Sequence, residues 1–574
     1  MALSTAIGDV RQYAAAFRPR FDGSVLAMAV VTLALVILVA VPSGWLAYYA
    51  FTTPTGEVTL ANFVALVTDP SLAGPVLTTL ILAVSVSVGS LVVAMPLAWL
   101  VARSDMPARR TIRILMTASF VTPPFLGAIA WEILAAPNSG ILNKAWRDLT
   151  GAEEALFNIY SLPGLIFVIT CYTTPFVFVL LANALDRIPA DLEDAAGILG
   201  ARPSRILRDV TLPLVLPAIL AGALVAFLQA MVLFGSPAIL ALPAGFNTLT
   251  TKIFMLFQFP PKPHVAAAAA LPLLGVTVLL LWAQRRLLGR RRFIVVGGKG
   301  GAARLVALRR WRWLALGFAL AVLAMPVFLP YAALLKAAAT RVPSDPLSLD
   351  TLTWHNVHFV FAEFSQTMPA IRNTLILGAA SATLGGLIAF AAAWLVARGT
   401  HPARRGLEFL ATAPAAIPGI VLGVGLFLAY AKPPLMLYGT LWILLLAFVT
   451  IELPGAFQQM RSAFHAIHPE LEEASRILGA SRLTTLWRVT APLVRTALVS
   501  TWCFIFIGAV RELSAAIMLF TARTKVLSVV IYDLNESGDL GAIAVLGITM
   551  LIGTFVIVAF ANRLAGRTPA PGVR

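Results

Sequence analysis

The chain has 574 residues, with Lys+Arg 43 against Asp+Glu 26 and a formal net charge of +17. Apolar residues make up 59% and charged residues 12%, where soluble domains hold roughly 45–50% and about 25%. Such a composition leaves too little polar surface for a soluble fold of this length, and it excludes disordered, collagen-like and disulfide-stapled classes. The basic excess sits mostly in short loops beside apolar runs, so no nucleic-acid partner is expected. Cys171 and Cys503 both fall inside apolar segments and imply no disulfide framework.

Arg11, Arg18 and Arg20 precede an apolar run over about 25–49. That run is too long for a signal-peptide core and reads as a retained first span. A helix crossing about 30 Å of hydrocarbon needs roughly 20 apolar residues. Runs of that length follow near 76–101, 112–135, 162–185, 214–235 and 265–283. A second series lies near 313–335, 373–397, 407–430, 437–458, 493–513 and 541–561. Pro123, Pro124 and Pro418 are expected to break or kink two of these helices. An all-α polytopic membrane protein with about twelve spanning helices follows.

The basic residues fix an expected orientation. Arg103, Arg109, Arg110 and Arg113 share one side with Arg202, Arg205 and Arg208, with Arg398, Arg404 and Arg405, and with Arg476, Arg482 and Arg488. The positive-inside rule makes that side cytoplasmic and puts both termini there. Segment 284–312 carries ten Lys/Arg and no acid, and its core Val296-Gly-Gly-Lys-Gly-Gly301 reads as a flexible linker beside anionic lipid. It divides the chain into a first half, 1–283, and a second, 313–574. No GxxxxGK[ST] phosphate loop occurs anywhere, so no nucleotide site is expected in this chain.

The halves repeat. Ala98-Trp-Leu-Val-Ala-Arg103 recurs as Ala393-Trp-Leu-Val-Ala-Arg398, Pro107-Ala-Arg-Arg110 as Pro402-Ala-Arg-Arg405, and Thr79-Leu-Ile-Leu82 as Thr374-Leu-Ile-Leu377, all at one offset. Further on, Leu192–Pro213 matches Leu471–Pro492 at an offset about sixteen residues shorter, which places an insertion of that size in the first half, expected in loop 136–160. Six spans per half give repeats of the same topology, related by an axis along the membrane normal, with a pathway expected between them.

The repeated loops 186–213 and 459–492 carry the most information. Each opens on an acidic turn, Asp191, Glu193 and Asp194 or Glu470, Glu472 and Glu473, which suits the positive end of a helix dipole. Leu192, Ala195 and Leu199, and Leu471, Ala474 and Leu478, share one helix face. Gly200 and Gly479 are placed to stop the helix in a left-handed conformation. The expected product is a small helix–turn–helix that offers an acidic edge and small residues to a partner.

With these residues in view the chain resembles the membrane subunits of binding-protein-dependent ABC importers, whose spacing is E-A-A-x3-G-x9-I-x-L-P. Here it reads Asp194-Ala195-Ala196, Gly200, Val210, Leu212-Pro213, and again Glu473-Ala474-Ser475, Gly479, Val489, Ala491-Pro492. The resemblance implies the fold of a type I importer permease. It also implies that Glu193, Asp194, Ala195, Ala196, Gly200, Glu472, Glu473, Ala474, Ser475 and Gly479 dock on ATPases. These would be two separate chains, which would bind the ATP and Mg²⁺. A periplasmic or lipid-tethered solute-binding protein and a bacterial inner-membrane location are implied as well.

Thr122-Pro-Pro-Phe-Leu-Gly-Ala-Ile-Ala-Trp131, Phe234-Gly-Ser-Pro-Ala-Ile239, Arg511-Glu-Leu-Ser514 and Tyr532-Asp-Leu-Asn-Glu-Ser-Gly538 resemble fused permeases of the ferric-iron group. Thiamine, aminoethylphosphonate and polyamine permeases look similar and stay open as alternatives. Glu512 is the first candidate for the translocation path. A carboxylate inside a span costs about 2.5–3.5 kcal/mol and should face protein or water, and its oxygens suit a hard cation. The alternative is that it pairs with Arg511 or ends a helix. Glu132 and Glu452 are further path candidates, and His355 and His358 an external pair. A polytopic membrane enzyme would need a catalytic cluster that the long external loops lack. An ion-driven transporter would leave the two acidic loops without a purpose.

Overall fold

The computed structural model describes residues 23–289, 305–399 and 402–566. The basic N-terminal residues, the Val296–Gly301 core of the linker and the C-terminal Arg567 and Arg574 lie outside them. Among the described residues the chain is helical, with isolated β-bridges and no strand.

Ten helices are long and apolar enough to cross a membrane. In the first half these are α1 (Val25–Ala50), α2 (Pro70–Arg103), α5 (Leu162–Asp186), α7 (Ser204–Val232) and α8 (Pro263–Ala283). Between α2 and α5 lies a bent pair, α3 (Arg109–Val121) and α4 (Pro124–Ala135), and the short α6 (Ala190–Ile198) precedes α7. The second half repeats the order with α9 (Arg309–Ala339), α10 (Thr367–Arg398), the bent pair α11 (Arg404–Ala416) and α12 (Gly419–Tyr430), α13 (Leu441–His465), short α14 (Pro469–Ile477), α15 (Arg482–Arg511) and α16 (Leu540–Ala561).

The runs 112–135 and 407–430 are therefore not straight spans. They bend by 103° and 114°. Pro123 and Pro418 stand at the bends in extended conformation, with ψ of 136° and 144°. Proline removes a backbone donor and clashes with the preceding turn, so the helix restarts in a new direction. The inserted residues fall where the repeat puts them: helix Ile141–Thr150 lies between α4 and α5, and no helix lies between α12 and α13.

Each half is built on three mutually packed helices, α2, α5 and α7 in the first and α10, α13 and α15 in the second. The first helix of each half packs on the last helix of its own half and also on the other half. Helix α1 lies against α10, α12 and α13, and α9 against α4 and the C-terminal half of α2. Ala315, Ala319, Leu323 and Val327 of α9 thus complete a core otherwise made of residues from 94 to 226. The sequence division at 284–312 separates the repeats but not the packing.

The chain returning from the linker also joins the first half. Val306 pairs with Ser104 in a parallel bridge: its N–H donates to the Arg103 carbonyl at 2.8 Å and its carbonyl accepts from Asp105 at 3.1 Å. The Leu308 N–H donates to Asp105 Oδ1 at 2.8 Å.

Candidate functional site: the acidic helices and the helix breaks

Helices α6 and α14 share one construction. Their first turns hold Asp191 and Glu193, or Glu470 and Glu472, where acids suit the free N–H groups. Gly200 and Gly479 follow with φ of +81° and +87°, which a side chain rarely adopts. The Ala201 N–H then reaches the Ala196 carbonyl at 3.0 Å, and the Ala480 N–H the Ser475 carbonyl at 3.2 Å. This closing pattern satisfies carbonyls the helix end would leave open.

The predicted apolar face exists in both copies and is uncovered among the described residues. Leu192, Ala195 and Leu199, and Leu471, Ala474 and Leu478, are all exposed. Ile198 and Leu199 are 87% exposed, and Ile477 and Leu478 85% and 88%. Apolar residues gathered at two exposed tips mark an interaction surface.

The carboxylates behave differently from the expectation that they face a partner. Glu193 turns inward onto Arg103 at 3.5 Å, and Glu472 onto Arg398 at 3.1 Å. The second oxygen accepts from Thr211 at 2.8 Å in the first half and from Thr490 at 3.0 Å in the second. Each carboxylate faces a guanidinium that is buried in Arg103 and mostly covered in Arg398, and burial favours a paired charge over a free one. Asp194 is half-buried and Glu473 exposed, so Glu473 stays on the outer edge. Ser475 hydrogen-bonds Thr485 at 3.1 Å. Sequence reasoning passed over Arg103 and Arg398. Their signal was present, because each is the last residue of the repeated Ala-Trp-Leu-Val-Ala-Arg. A cavity of about 560 Å³ beside α6 is lined by Trp99, Arg103, Glu193, Leu305 and Val306. Its counterpart beside α14, of about 150 Å³, is lined by Trp394, Arg398 and Glu472.

Of the path candidates, Glu512 lies at a helix end, while Glu132 and Glu452 lie within α4 and α13. Glu512 follows the last residue of α15, and its Oε1 accepts from the Ala515 N–H at 2.9 Å. The Ser528 hydroxyl donates to its carbonyl at 2.7 Å. Gly419, which starts α12, sits against the same carboxylate. Arg511 reaches across to the other half: its guanidinium donates to the Phe120 carbonyl at 2.5 Å, in the 3-10 turn that ends α3. Glu452 on α13 packs against Gly508 of α15, where a methyl group would collide with it. Glu132 on α4 is engaged separately by the Tyr160 hydroxyl at 2.7 Å. Of the external pair, His358 meets Glu363 at 2.9 Å on the surface. Among the described residues no three His, Cys, Asp or Glu gather to hold a metal ion. Both cysteines are buried and free.

The family described as binding-protein-dependent transport system inner membrane component matches residues 94–293 and again 385–568. Among curated relatives, the ferric transport system permease protein FbpB of Actinobacillus pleuropneumoniae is 25% identical over 80% of this chain. The match spans 66% of that relative, just under two thirds of its length. The Fe(3+)-transport system permease protein FbpB 2 of Haemophilus influenzae is 21% identical over 88% of this chain and 93% of its own length. The inner membrane ABC transporter permease protein YdcU of Escherichia coli is 30% identical over 42% of this chain and 81% of its own.

Proposed function

The chain belongs to the family of binding-protein-dependent transport inner membrane components, multi-pass proteins of the inner membrane, and we propose that it is the complete membrane pathway of an ATP-driven importer for ferric iron. One observation carries the reading: two acidic helices of the same construction, each with an apolar tip exposed for a partner. Two docking sites in one polypeptide suit two copies of an ATPase subunit, one for each half.

The orientation follows from charge. Both termini, α6 and α14 lie on the cytoplasmic side, and a solute-binding protein delivers cargo on the opposite face. The two repeats, 1–283 and 313–574, are joined by the basic cytoplasmic linker 284–312. The path runs between the repeats at the bent pairs, where broken backbone is tolerated because it lines a cavity rather than lipid. Glu452 and Glu512 stand beside that unwound backbone and Glu132 on α4, and carboxylate oxygen suits a hard trivalent cation. The iron assignment is supported by the names of the two FbpB relatives. The test is capture. Full chain purified in mild detergent from its own host should bring down an ABC ATPase at two copies per chain, read by native mass spectrometry. Recovery of the chain without any ATPase under conditions that preserve other importers would refute the assignment.

A further inference from the structure

Three side chains hold each acidic helix to the membrane helices, and the same three recur in both halves. Arg103 ends α2, Glu193 lies in the first turn of α6, and Thr211 lies near the start of α7. Arg398, Glu472 and Thr490 take the corresponding places on α10, α14 and α15.

The contacts repeat residue by residue, with Nη1 of Arg103 and Nε of Arg398 facing the carboxylate. Each carboxylate gives one oxygen to the arginine and the other to the threonine. Each arginine also donates to the carbonyl of the isoleucine that precedes the acidic helix, Ile188 at 3.1 Å and Ile467 at 2.9 Å. Arg398 reaches the Phe464 carbonyl as well, at 3.2 Å. Every triad therefore pins the end of one long helix, the entry and first turn of the acidic helix, and the start of the next long helix. Arg103 is only 1% exposed. The inserted residues of the first half fall between Arg103 and Glu193 in sequence, yet the triad closes in both halves.

A nine-residue helix holds its shape poorly alone, and its outer face is exposed among the described residues. Packing is supplied on the inner side, and at the triad that packing is ionic, with Arg103 buried and Glu193, Arg398 and Glu472 mostly covered. Such a cluster resists distortion, because loss of one member leaves a charge without compensation. We propose that Arg103–Glu193–Thr211 and Arg398–Glu472–Thr490 are rigid joints that pass movement of the acidic helices to α2 and α7, and to α10 and α15. The six are positioning residues for energy coupling, a role that rests on the ATPase docking proposed above. The exposed tips receive the ATPase, and the triads set the angle at which its motion reaches the membrane.

The experiment uses the full chain with two readouts. First, spin labels at Ile477→Cys on α14 and Leu387→Cys on α10, with Cys171 and Cys503 replaced by Ala, report their separation by pulsed electron resonance on the chain alone. Second, ferric iron moved per ATP hydrolysed is measured in liposomes with the co-purified ATPase and its binding protein, on chain without labels. Arg398→Ala should broaden the distance distribution. It should leave ATP hydrolysis running while cargo moved per ATP falls about tenfold or more, since the mostly covered carboxylate loses its partner. The exchange Arg398→Glu with Glu472→Arg remakes the ion pair but not the contacts to the Ile467 and Phe464 carbonyls or from Thr490, so it should restore both only in part. Thr490→Val, which keeps shape and removes one donor, gives an intermediate effect and carries the test if Arg398→Ala is not inserted. An unchanged distribution with an unchanged ratio would overturn the proposal, as would a parallel loss of hydrolysis and uptake with the distribution still narrow. If wild type moves no ferric iron, the cargo assignment fails, and the distance measurement still decides the joint.

Discussion

Trp131 in the first half donates its indole N–H to the Met325 carbonyl, 3.2 Å away in the first helix of the second half. Tyr430 does the reverse, donating its hydroxyl to the Ile37 carbonyl in α1 at 2.7 Å. Both carbonyls lie in widened helical turns, Val36–Ala40 and Ala324–Phe328. Each stands five residues before a proline, Pro42 or Pro330, which has no N–H to return. A carbonyl freed by proline inside a membrane must find a donor elsewhere. Here the other half supplies it, and this locks the exchanged first helices in place.

Removing one lock should be measurable. Tyr430→Phe leaves the Ile37 carbonyl without the hydroxyl donor and should cost roughly 0.6–1.7 kcal/mol, the range for hydrogen bonds between membrane helices. Thermal unfolding in detergent should show a lower midpoint for Tyr430→Phe and an additive loss when Trp131→Phe is combined with it, because the two contacts share no partner. An unchanged midpoint in the double variant would show that the contacts do not hold the halves.

Gly508 seats the Glu452 carboxyl group, and a methyl group there would occupy its place. Gly508→Ala should therefore push Glu452 off its position at an overpacking cost of about 1–3 kcal/mol. The expected result is reduced cargo uptake with normal membrane insertion. Wild-type uptake from Gly508→Ala would remove Glu452 from the path.

The spans, the two helix breaks, the inserted residues and the glycine-stopped acidic helices were all legible in the sequence. Each depends on local chemistry: apolar run length, proline, or a glycine beside a repeated motif. The exchange of α1 and α9 was not legible. Both are apolar nearly all round, so their pattern carries no direction. The inward turn of Glu193 and Glu472 was misread for a related reason. Their partners lie on a different helix, and nothing in the spacing of Asp191, Glu193 and Asp194 says which carboxylate faces Arg103. The pairing of Val306 with Ser104 spans about two hundred residues through backbone groups alone, which leave no side-chain signature.

That pairing makes its own prediction. Val306→Pro removes the N–H that donates to the Arg103 carbonyl, a bond with a net value of about 0.5–1.5 kcal/mol. The Asp105 and Leu308 amides, whose acceptors belong to the same pairing, should then exchange hydrogen several-fold faster. Unchanged protection would mean that the returning chain is held by other contacts.

The apolar tips should be separable from the fold. Leu199→Asp with Leu478→Asp changes two residues that touch solvent, so stability should move by no more than about 0.5 kcal/mol. ATPase capture should nevertheless fall sharply, because two charges would enter an apolar contact. Each single variant should keep one docking site. Full capture by the double variant would place the ATPase elsewhere on the chain.

The most direct test of the whole account is uptake of radiolabelled ferric iron at low concentration by cells lacking this chain. Wild-type chain should restore uptake, and the double variant Asp194→Lys, Glu473→Lys should not, although it reaches the membrane in equal amount. Unchanged iron uptake in the deletion strain, with other iron importers also removed, would contradict the assignment of ferric iron as cargo.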